Sequence, residues 1–428
     1  MLSLNELTDD ALLDRLQRGA FAYISENTNS ANGLVADTSR AGSPCSIAVV
    51  GFALACYPVA AERGWMAREE AVSLTLKTLE FFWSSAQSDD PGVTGYKGFY
   101  YHFLDMKTGL RTWQCELSVV DTALLMAGIL TVGRYFEGSG DEERIRMLSD
   151  ALYRRVDWAW AQNGRETVSQ GWKPECGFLH YEWEGYNEAI IVYVLGIGSP
   201  VHPLSATSFA TWTLSFQWEN LLGQDVLYSG PLFTHLFSHA WIDYRGIQDE
   251  FMRQEGSDYF ENTRRSIAIQ REYGARNPRG YEGYDGDCWG ITAGDGPGDQ
   301  EMRESIRDRR FFGYMSRGVP YGPDDGTIAP WAMLATLPFN PDAAVRGTRH
   351  LLRSYPQVCS NDRFSSGFNP TLQGHGMGWL SEGWYGLDQG LLVMMIENHR
   401  TGLIWELTRK CAVIRAGLTG AGFAGGWL

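Results

Sequence analysis

Apolar positions along the chain recur mainly at helical spacing. Leu12, Leu16, Ala20 and Tyr23 form one stripe behind Thr8, a residue suited to capping a helix start, and Asn32-Gly33 supplies a turn beyond its end. Val72, Leu76, Leu79 and Trp83 repeat the stripe. So do Ile145, Leu148, Leu152, Val156 and Ala159 behind Ser139-x-x-Glu142, which reads as a capping box. The spacing predicts about twelve helices, near 8–24, 45–62, 66–86, 117–136, 141–162, 187–197, 232–253, 258–276, 326–337, 341–354, 388–398 and 401–415. Several adjoin as close pairs, and no Pro/Gly/Ser-rich linker, charge block, low-complexity tract or close repeat divides them. Six helical hairpins are the count of an all-α, (α/α)6 toroid, with 1–428 as one domain. Between the helices, 95–113 reads as a β-hairpin and 172–183 as a second extended stretch. Residues 277–325 form a Gly-rich region with Tyr281, Tyr284 and Trp289, too long for a passive connection. Long aromatic loops on a helical ring build the mouth of a cleft.

Length alone, 428 residues, suggests two or three domains at roughly 100–200 residues each, but the missing linkers favour one. With 44% apolar and 20% charged residues the chain can bury a large core, which excludes general disorder. Its 16 Trp, 20 Tyr, 20 Phe and 49 Gly exceed what a plain helical scaffold needs, and point to something stacked or gripped. A net charge of −15 argues against a nucleic-acid partner and suits a neutral, hydroxyl-rich ligand such as a sugar chain. No run approaches the roughly 18 apolar residues of a membrane span. Met1-Leu2-Ser3-Leu4-Asn5-Glu6 lacks the features of a secretory signal, so the expectation is a soluble, cytoplasmic protein, or a periplasmic one if a leader has been removed. Seven scattered cysteines without a Cys-x-x-Cys pair fit reduced thiols and no zinc cluster.

No phosphate-binding loop, His-Glu-x-x-His or Gly-x-Ser-x-Gly motif is present. His235 and His239 have the i, i+4 spacing of a helical zinc pair but lack the adjoining Glu, so they read as hydrogen-bonding residues. Carboxylates beside rings are the better signal. Glycosidic cleavage needs one protonated carboxyl for the leaving oxygen and one ionised carboxylate to activate water or attack carbon. Glu116 and Asp121 are five residues apart, about 140° round a helix, and converge only if Glu116 lies in the entering loop. Each also has a structural reading, Glu116 in capping or a helix-dipole contact and Asp121 as a buried acid bonded to backbone. Glu188 opens an otherwise apolar helix, where desolvation would raise its pKa as a general acid requires. Asp388 stands where an N-cap would. Asp243 and Arg245 read first as a salt bridge and second as sugar contacts. Trp113, Trp183, Tyr186, Trp289 and Trp384 adjoin a Gly or an acid and are stacking candidates, each equally suited to the core.

These segments resemble a known family. Gly33-Leu34-Val35-Ala36-Asp37, Gly98-Phe99-Tyr100-Tyr101-His102-Phe103-Leu104-Asp105, Glu116-Leu117-Ser118-Val119-Val120-Asp121-Thr122-Ala123, Gly185-Tyr186-Asn187-Glu188-Ala189, Pro231-Leu232-Phe233-Thr234-His235 with Asp243-Tyr244-Arg245-Gly246, Trp289-Gly290-Ile291-Thr292-Ala293 and Asp388-Gln389-Gly390 with Glu397-Asn398 are similar, in order, to the glucoamylase-like domain. That domain includes the endo-β-1,2-glucanases of glycoside hydrolase family 144 and a portion of cyclic β-1,2-glucan synthases. The resemblance implies an (α/α)6 toroid, β-1,2-glucan as substrate, and anomer inversion without metal or other cofactor. It places catalytic acids at Glu188, Glu116 and Asp121, with Glu188 as general acid. The base is left open among Glu116, Asp121 and Asp388. The candidate substrate contacts, taken from these segments, are Asp37, Tyr101, His102, Trp113, Trp183, Tyr186, His235, Asp243, Arg245, Trp289, Asp295 and Trp384. Three local departures touch chain geometry more than charge: Val119-Val120 inside the third motif, Ala36 before Asp37, and Gly294 before Asp295.

The expected activity is therefore endo-acting hydrolysis of β-1,2-glucan. Alternatives are a retaining transglycosylase, an exo-acting sophorose-releasing enzyme and, outside catalysis, a glucan-binding module. A polysaccharide lyase would want a basic cleft, which the charge disfavours. A terpenoid cyclase would want an Asp-rich motif, of which Val120-Asp121-Thr122 is a poor example.

Overall fold

The computed structural model describes residues 3–303, 308–372 and 378–428. Helices buried almost all round, Ile47–Glu62, Val119–Tyr135, Ile190–Ile197, Pro330–Ala335 and Gly386–Arg400, make an inner wall. Helices with one apolar and one charged face, Asp9–Glu26, Arg68–Ser84, Asp141–Arg155, Tyr259–Arg276 and Pro341–Ser354, lie outside it. Outer and inner helices alternate along the chain, and Asp9–Glu26 packs on Gly386–Arg400 to close the ring, which is an α/α toroid.

The periodicity misjudges four places. The helix expected at 232–253 is two short 3-10 turns, Leu232–His235 and Ser238–Ala240, then a loop and a short helix, Glu250–Gln254. Asp243 takes the Arg245 backbone N–H at 3.1 Å, turning the chain, and Gly246 completes the turn at φ 72°. The 141–162 segment breaks at Asp157, which caps a new helix Trp158–Ala161. The 401–415 segment splits into Leu403–Arg409 and Ala412–Gly420. The capping box at Ser139 does not form, because Glu142 instead accepts the Gly138 N–H at 2.6 Å and pairs with Arg68.

Two devices place the mouth of the ring. A five-stranded antiparallel sheet runs Gly95–Tyr96, Phe99–Tyr101, Leu117–Ser118, Gly171–Lys173, Gly177–Phe178, so the two extended stretches join into one sheet. In the 277–325 region, Ala293–Gly294 pairs with Met315–Ser316. Behind that pair the buried Arg317 holds Asp325 at 2.7 and 2.9 Å and donates to the carbonyls of Gly294 and Gly313, each at 3.0 Å. All seven cysteines are unpaired thiols, and no helix among the described residues is long and apolar enough to cross a membrane.

The inner helices Ile47–Glu62 and Val119–Tyr135 cross at glycines. A Cβ on Gly128 would stand 2.1 Å from the Gly51 carbonyl oxygen, and one on Gly51 would stand 2.3 Å from that of Leu124. Alanine normally gains about 1 kcal/mol over glycine within a helix. Here it would collide with backbone that has no rotamer to change, so overlap outweighs propensity. Gly128→Ala is expected to destabilise the protein by about 2 kcal/mol, read as a lower urea midpoint; an unchanged or higher midpoint would show that the helices do not depend on this contact.

Candidate active site

A cavity of about 320 Å³ opens inside the ring, within the size range of small-ligand sites. Strand register builds one wall. Tyr101 pairs with Leu117, and the His102 N–H bonds the Glu116 carbonyl at 3.0 Å, so His102 and Glu116 stand side by side. Their side chains meet, His102 Nδ1 to Glu116 Oε1, at 2.8 Å. Ser118 caps the next helix by accepting the Asp121 N–H at 3.2 Å, and its hydroxyl also donates to the Asp121 carboxylate. That carboxylate lies 3.6 Å from His102 Nε2. Glu116 and Asp121 thus converge on the two nitrogens of one imidazole, as only a loop-borne Glu116 permits. Burial disfavours charge on this ring, but Asp121, the bond and charge of Glu116, and Asp37 outweigh it and push the pKa up to about 9. Burial also works against an ionised Glu116, yet the His102 bond and charge hold its pKa below the usual value.

Glu188 sits in the turn before Ile190–Ile197, shaped by Asn187, which accepts the Ala189 N–H at 2.9 Å and donates to the carbonyls of Glu184 and Gly185. Its side chain is half-buried and lines the cavity. Burial pushes its pKa up to about 7, its own backbone N–H opposes this, and the Asp121 charge adds to it. Asp388 lies in the first turn of Gly386–Arg400, where Tyr385 rather than Asp388 is the N-cap. It accepts the Ser366 hydroxyl at 2.5 Å, and Ser366 is held through its carbonyl by Trp331 Nε1 at 3.2 Å. Burial raises the Asp388 pKa well above the carboxylate range; the Ser366 bond opposes this, and the charges of Asp37 and Asp295 add to the rise. Asp295 is paired with Arg40 and accepts the Ser381 hydroxyl at 3.0 Å. Most of the remaining surface is apolar, from Leu179, Trp183, Phe233, Phe237 and Trp331 among others.

Of the residues singled out in the sequence, Glu116, Asp121, Glu188, Asp388, His102, Trp183 and Asp295 line this cavity. Asp37 stands just behind, where burial raises its pKa to about 6 and where its charge acts on His102 and Asp388. The others are elsewhere. Tyr101 and Trp289 are core residues, Tyr101 under the Arg111 guanidinium. Tyr186 is buried against Tyr259, Phe216 and His235. His235 and His239 are buried and bond the Ser229 carbonyl at 3.0 Å and the Thr263 hydroxyl at 3.2 Å; burial lowers their pKa values to about 4 and 3. Asp243, itself buried, pairs with Arg245 and Arg409, and Arg245 lies over Trp405. Trp384 packs under Arg363 outside the wall, while its neighbour Tyr385 lines it. Trp113 is exposed. Sequence reasoning missed Gln170, Phe237, Tyr314, Trp331 and Ser366, all brought in by long-range packing. Tyr314, beside the strand held by Arg317, carried a signal as an aromatic inside the long loop.

His102, Glu116 and Asp121 each present a ligand atom within 4.8 Å of the others. A metal bound there would have to displace the ring proton, since an imidazolium has no nitrogen lone pair to give. Unfolded, the ring titrates near 6.5; folded, near 9. Its contribution to stability is therefore complete below about pH 6.5 and fades as pH rises through about 9. The gap in melting temperature between wild type and His102→Asn should be widest at pH 6 and smaller at pH 10; an equal gap at both would contradict a charged ring.

The Glycoamylase family model, a glucoamylase-like domain, matches residues 180–412. An exo β-1,2-glucooligosaccharide sophorohydrolase (non-reducing end) of Parabacteroides distasonis is 27% identical over 449 residues, covering 96% of this chain. The chain spans 58% of the length of that curated relative. A solved endo-β-1,2-glucanase from Chitinophaga pinensis, in complex with sophorotriose and glucose, superposes with TM-score 0.86 at 25% identity, covering 99% of this chain and 100% of that one. A β-1,2-glucanase structure from Parabacteroides distasonis superposes at 0.83 with 26% identity, covering 97% of this chain and 60% of that one. With more than half of its residues inside the family model, the chain belongs to the Glycoamylase family.

Proposed function

We propose that the chain is a glycoside hydrolase that cleaves β-1,2-linked glucan, with Glu188 as general acid. The observation that carries the reading is the Glu188 carboxyl, its pKa raised to about 7, in the same cavity as a Glu116 held ionised by His102. At neutral pH one group can give a proton and the other can take one. Glu188 protonates the glycosidic oxygen as its bond to the anomeric carbon breaks. A water attacks that carbon from the opposite face and passes its proton to Glu116, directly or through intervening waters and sugar hydroxyls. The apolar wall suits the C–H faces of pyranose rings, and the acids suit their hydroxyls. The relatives named above supply the linkage. Endo action is the first reading; the likeness to the sophorohydrolase favours a second, in which sophorose leaves from the non-reducing end.

Among linear β-1,2-, β-1,3-, β-1,4- and α-linked glucans, only the β-1,2-glucan is expected to release reducing ends. Glu188→Gln should lower that rate by about 100-fold or more. No release from any of them would reject the hydrolase reading. Early products of many lengths indicate endo action, and sophorose alone indicates exo action. Proton NMR of the first product should show the α-anomer; β-anomer first would reject a single displacement.

A further inference from the structure

Trp113 and Gln114 are consecutive non-glycine residues in the left-handed region, at φ 57° and 52°. For a side chain as bulky as Trp this is a strained backbone, a state that persists only where surrounding structure enforces it. The enforcement is visible on both sides. The Thr112 N–H bonds the Phe103 carbonyl at 3.1 Å, the Cys115 N–H bonds the Thr112 carbonyl at 3.1 Å, and Arg111 Nε holds the Cys115 carbonyl at 2.6 Å while its guanidinium grips Glu175 at 2.7 and 3.0 Å. The turn so fixed leaves the indole 68% exposed.

The ring is not isolated from the cavity. It packs on Phe103 with centroids 5.2 Å apart, and Phe103 lies flat on the His102 ring, 3.9 Å away and tilted by 13°. His102 lines the cavity. Trp113 is therefore two ring spacings outside the wall that holds Glu116 and Asp121, on a continuous aromatic row leading from that wall to solvent.

We propose that Trp113 is an outlying sugar platform, stacking a glucosyl residue of the same neutral glucan chain beyond the part held in the cavity. The C–H face of a pyranose covers the indole while its hydroxyls stay in water, and the exposed Gln114 amide beside it offers both a donor and an acceptor to them. A neutral chain also approaches a protein of net charge −15 without electrostatic penalty. The inference rests on the β-1,2-glucan reading, and its test separates the two.

Binding of a ladder of β-1,2-gluco-oligosaccharides to Glu188→Gln protein is measured by titration calorimetry, with Trp113 intact, as Trp113→Ala and as Trp113→Tyr. Affinity should rise further once the chain outgrows the cavity. Trp113→Ala should weaken the longest ligands by about fivefold and the shortest bound ligands by less, and Trp113→Tyr should restore the difference. An equal loss at every length, or no loss, overturns the platform and leaves the hydrolase reading standing. Absence of binding at every length, in a protein whose melting curve matches wild type, overturns both.

Discussion

Five carboxylates, from Glu116, Asp121, Glu188, Asp295 and Asp388, face one cavity, and among the described residues lining it His102 is the only basic side chain. Like charges held this closely away from bulk water cannot all stay ionised. The structure divides them. Arg40 reaches in to pair with Asp295, and His102 is shared between Glu116 and Asp121. Glu188 and Asp388, with no cation beside them among the described residues, meet the cost of burial by holding their protons more tightly. The division of labour that acid–base chemistry needs follows from where the few cations stand.

The scaffold serves that placement. One register in a five-stranded sheet brings His102 to Glu116, and a serine cap aims Asp121 at the other nitrogen of the ring. The buried Arg317–Asp325 pair holds the strand that brings Ala293, Gly294 and Asp295 to the cavity. Two inner helices meet through glycine closely enough that one added methyl group would overlap backbone. Such contacts make the ring stiff where the acids are mounted.

Much of this was legible along the chain. Helical stripes located the outer helices, whose charged faces make the period visible, and also the inner helices long enough to show as apolar runs. The four catalytic candidates were legible because each sits where the chain enters a helix, a position marked by local sequence. Rings were harder: a Trp or Tyr beside an acid reads the same whether it faces the cavity, like Trp183, or the core, like Trp289 and Tyr186. The failure at 232–253 came from an Asp243 turn that no apolar period reports. His102 was legible as a candidate site residue but not as the partner of two acids, because that depends on cross-strand pairing. Ser366 and Trp331, which fix Asp388, lie 22 and 57 positions away in the chain.

The most direct measurement is the protonation of Glu188 itself, followed as the carboxylic C=O stretch in the infrared difference between wild type and Glu188→Gln. A protonated band at pH 6 that disappears as pH rises through about 7 is the predicted result. A Glu188 already ionised at pH 5, with the titration of an ordinary surface glutamate, would contradict the claim that burial beside Asp121 makes it the acid.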